Sequence, residues 1–573
     1  MTQLPWMGLG LSTNLGPRDR PDPWWILDAS PGAIDFVEYS APLDPDVALA
    51  EAPRFSTLLE RRHELPAIFH PVHLNLWGPA LESEENLAAL RAHLRRVGSP
   101  WVGNDVAWWH HRDAPFPGYL FVAPPFTRAG VEQAAAHAAH VQAAIEVPLL
   151  LENPAVLHRN GDLHVLDFMA ALHARTGQPL LLDLGHLLAF QLVYGLEAEA
   201  GLDGFPLEQV AEIHIAGGVI TTRGARRFYV DDHGQPVREE LFALLERILP
   251  RCTGLRAVTF EADGHPEPIA LRTLERLRAL VPRRREPQAA GIAAANDDAA
   301  LEAPATCATA SQDDGWGSAA TAAPPGAVDG AAREAWRLFD LVHGAPADGV
   351  PDPDGLRAEV DFRLAVVAQR IDRAWPLTRA ACAGDRAGLE RFATSPEYRS
   401  LYDGSGRQLP AVFAAWARRV VREERLAGAD AILAFESWCH GLLARVEAAP
   451  PGSGAIRLAP GVAVGSFPVD LSELLFAART LRRHLADRAA AAGLYEGSGL
   501  EALRQIAARA APGPWAVLLR RTGGAIAAEP LDPSFLRLVH LAARGATPAD
   551  LPPADREALG RAVAAGVLVA GDR

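Results

Sequence analysis

The first half of this chain is expected to be α/β, a (β/α)8 TIM barrel over residues 1–283, followed by a linker and a mainly helical α+β C-terminal region. Three observations predict this. Eight short apolar segments alternate with amphipathic helical stretches, the pattern of a parallel sheet built by crossover connections. The eight units fill about 280 residues, the usual size of such a barrel when it closes. Acidic and imidazole side chains gather at the ends of those segments, the face on which barrels of this kind place their chemistry.

The expected strands, in order, are WMGLGLS (6–12), DFVEYS (35–40), AIFHPVHLNL (67–76), WVGNDVAW (101–108), VPLLLEN (147–153), PLLLDLG (179–185), AEIHIAG (211–217) and AVTFEAD (257–263). Between them ENLAALRAHLRRV, VEQAAAHAAHVQAAI and REELFALLERIL repeat apolar residues at three-to-four spacing, as helices do. No GxGxxG turn opens a first helix, which disfavours an open, doubly wound sheet. Residues 284–332 are rich in Ala, Gly, Pro, Ser and Asp without apolar periodicity and are expected to be a disordered linker. Residues 333–450 are expected to form a helical domain, from EAWRLFDLVHG through ADAILAFESWCHGLLARV. Residues 451–573 mix strand-like segments (AIRLAPGVAVGSF, WAVLLRR, GAIAAEPL, GVLVAG) with helices, in the outline of a small α+β, winged-helix-like module.

Composition narrows the chemistry. The formal net charge is −15, which is unfavourable for phosphate neutralisation, so no nucleic-acid partner is expected. The chain has no lysine, which removes a Walker-type loop and any Schiff-base mechanism. The four cysteines form no CxxC pair, so neither a zinc ribbon nor an iron–sulfur cluster is expected. Apolar runs are short and the N-terminus lacks a signal-peptide pattern, so a cytoplasmic protein without a membrane partner is expected. Of 19 histidines, 15 lie at or before His265, which places imidazole chemistry in the first half.

The strand ends carry the candidate site. Strand 2 ends near Glu38, strand 3 carries His70 and His73, and strand 4 offers Asp105 with His110 and His111 beyond it. Strand 5 ends in Glu152-Asn153-Pro154, strand 6 in Asp183 and then His186, and strand 7 carries His214. Asp231 and His233 follow in FYVDDHGQPV, and strand 8 ends in Glu261 and Asp263. Any one of these is more often a satisfied hydrogen-bonding group than a ligand. Their convergence is the argument: that many buried carboxylates cost several kcal/mol per uncompensated ion unless cations neutralise them. More donors than one ion needs imply two or three, and mixed imidazole and carboxylate suits iron, manganese or zinc. Asn153-Pro154 reads as a strand terminator, His93, His137, His140, His158, His164 and His173 as surface or packing residues, and Trp108 and Trp109 as core.

The segments HPVHLNLWG, GNDVAWW, LLLENP, LLLDLGH, EIHIAGG, VDDHGQPV and TFEAD occur in the order and spacing of the multinuclear non-heme iron-dependent oxidases (MbnB/TglH-like), and residues 6–281 resemble that family. The resemblance implies two or three iron ions at the strand ends, with dioxygen as co-substrate, and a ribosomally made precursor peptide as substrate, modified at cysteine. By matching motif it implies His70, Glu152, Asp183, His186, His214, Asp231, His233 and Glu261 as metal ligands. The family usually carries a ligand His on strand 4; here Asp105 takes that place, as a ligand and, with His214, as a catalytic group. Members work with a separate leader-capturing partner protein. The region 333–573 resembles that partner in outline, which would make a separate one dispensable, with 451–573 as the leader-peptide-binding module. Two rival readings are a redox-neutral divalent-metal isomerase or hydrolase of the xylose-isomerase-like barrel type, and a non-catalytic peptide-binding protein.

Overall fold

A computed structural model describes residues 4–16, 19–71, 73–112, 114–117, 120–281, 325–345, 350–424, 429–444, 456–459, 462–469, 512–522, 525–531, 533–544 and 546–570. The chain divides into two compact units. One comprises residues 1–110, 121–339 and 351–356, the other 111–120, 340–350 and 357–573.

The first unit contains a closed, all-parallel eight-stranded barrel. Its strands are β1 (Gly8–Thr13), β2 (Phe36–Tyr39), β3 (Ala67–Phe69), β4 (Val102–Asp105), β5 (Leu149–Glu152), β6 (Leu180–Asp183), β7 (Val210–Ala216) and β8 (Ala257–Glu261). Each expected strand is present and pairs with its sequence neighbour, and β8 closes on β1 with Gly8 opposite Ala257. Strand 3 is shorter than its apolar run. It ends at Phe69, so His70 begins the loop and His73 and Asn75 lie within it.

Side chains two apart share one face of a strand, and this alternation builds the barrel interior in two layers. Phe36, Ile68, Trp101, Leu150, Leu181 and Ala257 pack together as an apolar floor. Two residues on from four of these stand Glu38, His70, Glu152 and Asp183, and four on from Trp101 and Ala257 stand Asp105 and Glu261. For these six residues the upper, polar layer follows from the alternation once the floor is fixed. Gly103 makes room for it. A Cβ there would lie 2.7 Å from Leu181 and 3.2 Å from the His70 ring.

The helices around the barrel carry explicit end signals. Ser83 caps Glu84–Val97, which stops at Gly98 in the left-handed region (φ 75°), and Thr127 caps Arg128–Ala144. Trp108 and Trp109 are core, as expected. So is His93, which is stacked on Phe69 at 4.0 Å and bonded to the Tyr39 hydroxyl at 2.8 Å. After β7 the chain leaves the barrel as an antiparallel hairpin, Gly218–Arg223 with Arg226–Asp231.

The second unit holds helices including Pro376–Cys382, Arg386–Ala393, Leu409–Glu424 and Ala429–Ala444, with Phe392, Phe413 and Trp416 in mutual edge-on or tilted contact. Its last segment contains the antiparallel sheet Val462–Val469, Pro512–Thr522, Ala525–Pro530 and the pair Ile456–Leu458 with Leu568–Ala570. Helices Pro533–Ala543 and Pro553–Ala564 bury Leu538, Leu559 and Ala562 in a core with Leu568. Most of the expected linker lies outside the described residues, but its end does not: the helix Pro325–Val342 begins inside it. Alanine there reads as low complexity, yet it is also the strongest helix former. No helix among the described residues is long and apolar enough to cross a membrane.

Candidate metal centre

Nine expected residues meet above the apolar floor: His70, Asp105, Glu152, Asp183, His186, His214, Asp231, His233 and Glu261. Glu152 is the hub. Its Oε2 lies 3.4 Å from His70 Nε2, and its Oε1 lies 3.4 Å from His214 Nδ1 and 3.8 Å from His186 Nδ1. Asp105 Oδ1 stands 3.5 Å from His186 Nδ1, and Glu261 Oε1 is 3.6 Å from His214 Nδ1. Asp231 and His233 arrive from the end of the hairpin and the turn after it. Asp231 Oδ2 is 2.9 Å from His233 Nε2 and 3.5 Å from His186 Nε2, and His233 Nδ1 contacts Asp263 at 3.1 Å.

Asp183 shows how local folding places a ligand. It caps the helix Leu184–Tyr194, its Oδ1 accepting the His186 N–H at 2.6 Å, which fixes the carboxylate and leaves Oδ2 facing the cluster. His186 follows on the first turn, its Nδ1 2.9 Å from the Asn153 carbonyl. Asn153 is more than a terminator: its side chain donates to the Asp183 carbonyl (3.0 Å) and accepts from the Asp183 N–H (2.9 Å), tying the end of β5 to β6.

Four overlapping triads have ligand atoms within 4.8 Å of one another: Glu38/His70/His214, His70/Asp105/Glu152, Glu152/Asp183/His186 and Asp183/His214/Glu261. Glu38 is visible in the sequence at its strand end but stands outside the ligand set implied by resemblance. His73 and His110 do not join the cluster. His110 Nε2 pairs with buried Glu82 at 2.9 Å, and burial with the neighbouring His110 pushes His73 down to about 4. Glu82 carries no sequence signal. It lies between elements, and its role comes from the loop it holds, accepting the Asn75 N–H and the Asn86 amide as well as His110.

The electrostatics are those of a centre short of positive charge. Burial drives Asp105 well above the carboxylate range, Asp183 up to about 7 and Glu38 up to about 8. Burial also pushes Glu152 up, but His214, His70 and His186 outweigh it and hold it at about 2. Burial lowers His186, His214 and His233, and the surrounding carboxylates more than reverse this, raising all three well above the ordinary value. The ion-pair partners of the cluster carboxylates are histidines; among the described residues no arginine neutralises them.

The donor set fits metal ions on a further count. His70 Nδ1, Asp105 Oδ1, Glu152 Oε2, Asp183 Oδ2, His214 Nδ1 and Asp231 Oδ1 are buried without a hydrogen-bond partner. Each such atom costs about 1–3 kcal/mol. Six in one cavity wall are explained together by divalent cations, which oxygen and imidazole donors suit.

The family model for the RiPP precursor modification enzyme MbnB/TglH/ChrH matches residues 25–280. A UPF0276 protein from Caulobacter vibrioides (strain NA1000 / CB15N) is 33% identical over 233 residues, 40% of this chain and 82% of that protein. Another UPF0276 protein, from Bordetella pertussis, is 31% identical over 265 residues, 46% of this chain and 89% of that protein. Among solved structures, D-allulose 3-epimerase from Methylomonas sp. in complex with D-allulose shares 16% identity at a TM-score of 0.31, over 46% of this chain and 86% of that one.

Proposed function

Because the chain belongs to the MbnB/TglH/ChrH family of RiPP precursor modification enzymes, we propose that it is an iron- and dioxygen-dependent oxidase that modifies a ribosomally made precursor peptide at cysteine. The observation that carries this reading is the cluster of unpartnered imidazole and carboxylate atoms at the strand ends. His70, Asp105, Glu152, Asp183, His186, His214, Asp231, His233 and Glu261 would hold two or three irons. Iron, when bound, supplies one-electron chemistry that couples dioxygen reduction to oxidation of the peptide.

The chain's own groups do the rest. Glu152 faces three imidazoles and holds them in one orientation. Asp183 and Asn153 lock the β5–β6 corner, so the ligand atoms are set before substrate arrives. His214 is wholly buried and presents Nδ1 to the centre, away from bulk water. Asp105, buried with Oδ1 lacking a hydrogen-bond partner, would supply a carboxylate ligand where the family usually carries a histidine. Residues 333–573 would serve as the built-in substrate-recognition partner, with the strand-bearing end taking the leader as an added strand or helix.

Anaerobic loading of the purified chain with Fe(II), then exposure to dioxygen with a short cysteine-bearing peptide of the kind sought in the neighbouring reading frames, tests this. Two to three irons per chain and an oxygen-dependent mass change of the peptide are expected. A chain that takes up no iron overturns the reading. Turnover without oxygen consumption would assign a redox-neutral metal reaction instead.

A further inference from the structure

We infer that Glu38 is a positioning residue for the centre: its carboxylate accepts a hydrogen bond from Nε2 of His214 and so aims Nδ1 of the same ring at the metal. The inference rests on the metal reading of the site and adds to it a residue outside the ligand set.

A neutral imidazole carries one proton, and the partner of one nitrogen decides what the other can do. The two nitrogens of His214 have different surroundings. Nε2 lies 3.2 Å from Glu38 Oε1 and 3.3 Å from Oε2, a forked approach to one carboxylate. Nδ1 has no hydrogen-bond partner and stands 3.4 Å from Glu152 Oε1 and 3.6 Å from Glu261 Oε1, two carboxylates of the centre. One other acidic group approaches Nε2, Glu212 at 3.8 Å. It is already engaged, accepting from Trp101 Nε1 at 2.7 Å and from Thr259 Oγ1 at 2.8 Å. Glu38 is therefore the acceptor for the Nε2 proton. It is held there by alternation on β2, one step above Phe36 of the floor, in a wall that leaves it 1% exposed.

Glu38 as a ligand is the weaker account. An ion between Glu38, His70 and His214 would need Nε2 of His214 bare while Nδ1 serves the main centre, so the ring would give up both protons. A carboxylate behind a ligating imidazole fixes its tautomer and raises its basicity, and loss of such a partner typically weakens metal binding about 10- to 100-fold.

The test uses the full chain, titrated anaerobically with Fe(II) against a competing chelator, for wild type, Glu38→Ala and Glu38→Gln. The Ala variant is expected to bind its weakest iron about 10- to 100-fold less tightly while reaching the wild-type stoichiometry at saturation. The Gln variant keeps an acceptor oxygen and should recover most of that loss. In the Zn(II)-loaded chain, nitrogen-15 histidine spectra should report His214 bound through Nδ1 and protonated at Nε2. Wild-type affinity in the Ala variant, loss of a whole ion at saturation in the Gln variant, or Nε2 coordination each overturns the assignment while leaving the metal centre standing. A wild-type chain that binds no divalent ion defeats both. If the Ala variant does not fold, the isosteric Gln variant and the spectra still decide.

Discussion

Glu152 touches three histidines of the cluster, so its charge is the one most widely shared. Glu152→Gln is expected to lower iron content by at least one ion per chain and to abolish peptide oxidation, measured by elemental analysis and peptide mass; full iron occupancy would show that the hub is elsewhere. A second prediction concerns a residue that never meets the cluster. Burial pushes His93 down to about 4, so the folded chain binds fewer protons there than the unfolded chain does. Its contribution is complete above about pH 6.5 and declines as pH falls towards about 4. The stability gap between wild type and His93→Gln should therefore narrow by up to about 1.4 kcal/mol per pH unit across that window, read from urea midpoints; a gap that widens would refute the buried, neutral assignment. The histidines divide as chemistry would have them, and part of that division is legible in the sequence. His186 and His233 follow acidic residues at the ends of expected strands, and His70 and His214 lie on expected strands themselves. His93 and His137 read as surface or packing residues, and the buried contacts of both make them packing. Glu38 stands in view without a role, because a carboxylate that orients a ligand has the same sequence context as one that is a ligand.

At the scale of elements, the eight strands are legible because each is a short, largely apolar segment set between helical patterns, and their order in the barrel is their order in the chain. What alternation does not reveal is where a strand stops hydrogen bonding. The expected strand 3 runs to residue 76, but the strand ends at Phe69, and the Asn75 side chain instead braces the 108–110 loop, accepting the Trp109 N–H at 2.8 Å and donating to the His110 carbonyl at 2.9 Å. The sparing use of side chain on β4 is equally invisible in sequence. Gly103 leaves the space that the His70 ring and Leu181 occupy. Gly103→Ala should cost about 1–3 kcal/mol, the range for overpacking a filled interior, and should also weaken iron binding through His70. A denaturant midpoint equal to wild type with unaltered metal affinity would mean that the neighbours yield without cost.

For the whole molecule, if the polar layer holds metal, ions should stabilise the fold by mass action. At free Fe(II) about 1,000-fold above the dissociation constant, roughly 4 kcal/mol of added stability is expected per site, seen as a concentration-dependent rise in the unfolding temperature under anaerobic conditions. Glu152→Gln should flatten that rise. An unfolding temperature indifferent to divalent ions would count against a metal role for the cluster. The change in texture after residue 283 marks where the barrel's pattern ends, but the compact units are interleaved along the chain: residues 325–339 and 351–356 belong to the barrel's unit and residues 111–120 to the other. The boundary is not foreseeable, since the helix Pro325–Val342 draws on an alanine-rich stretch whose composition also suits an unstructured tether.

The floor of Phe36, Ile68, Trp101, Leu150 and Leu181 closes one mouth of the barrel with tightly fitted hydrocarbon. The floor bars that mouth, so on the proposed function the ions, gas and peptide would not file through the barrel from end to end. On that reading a long peptide seated at the strand ends would shield the metal behind it, so ions would be installed first and surrendered last. Chelators should strip iron from the free enzyme faster than from the enzyme saturated with its peptide.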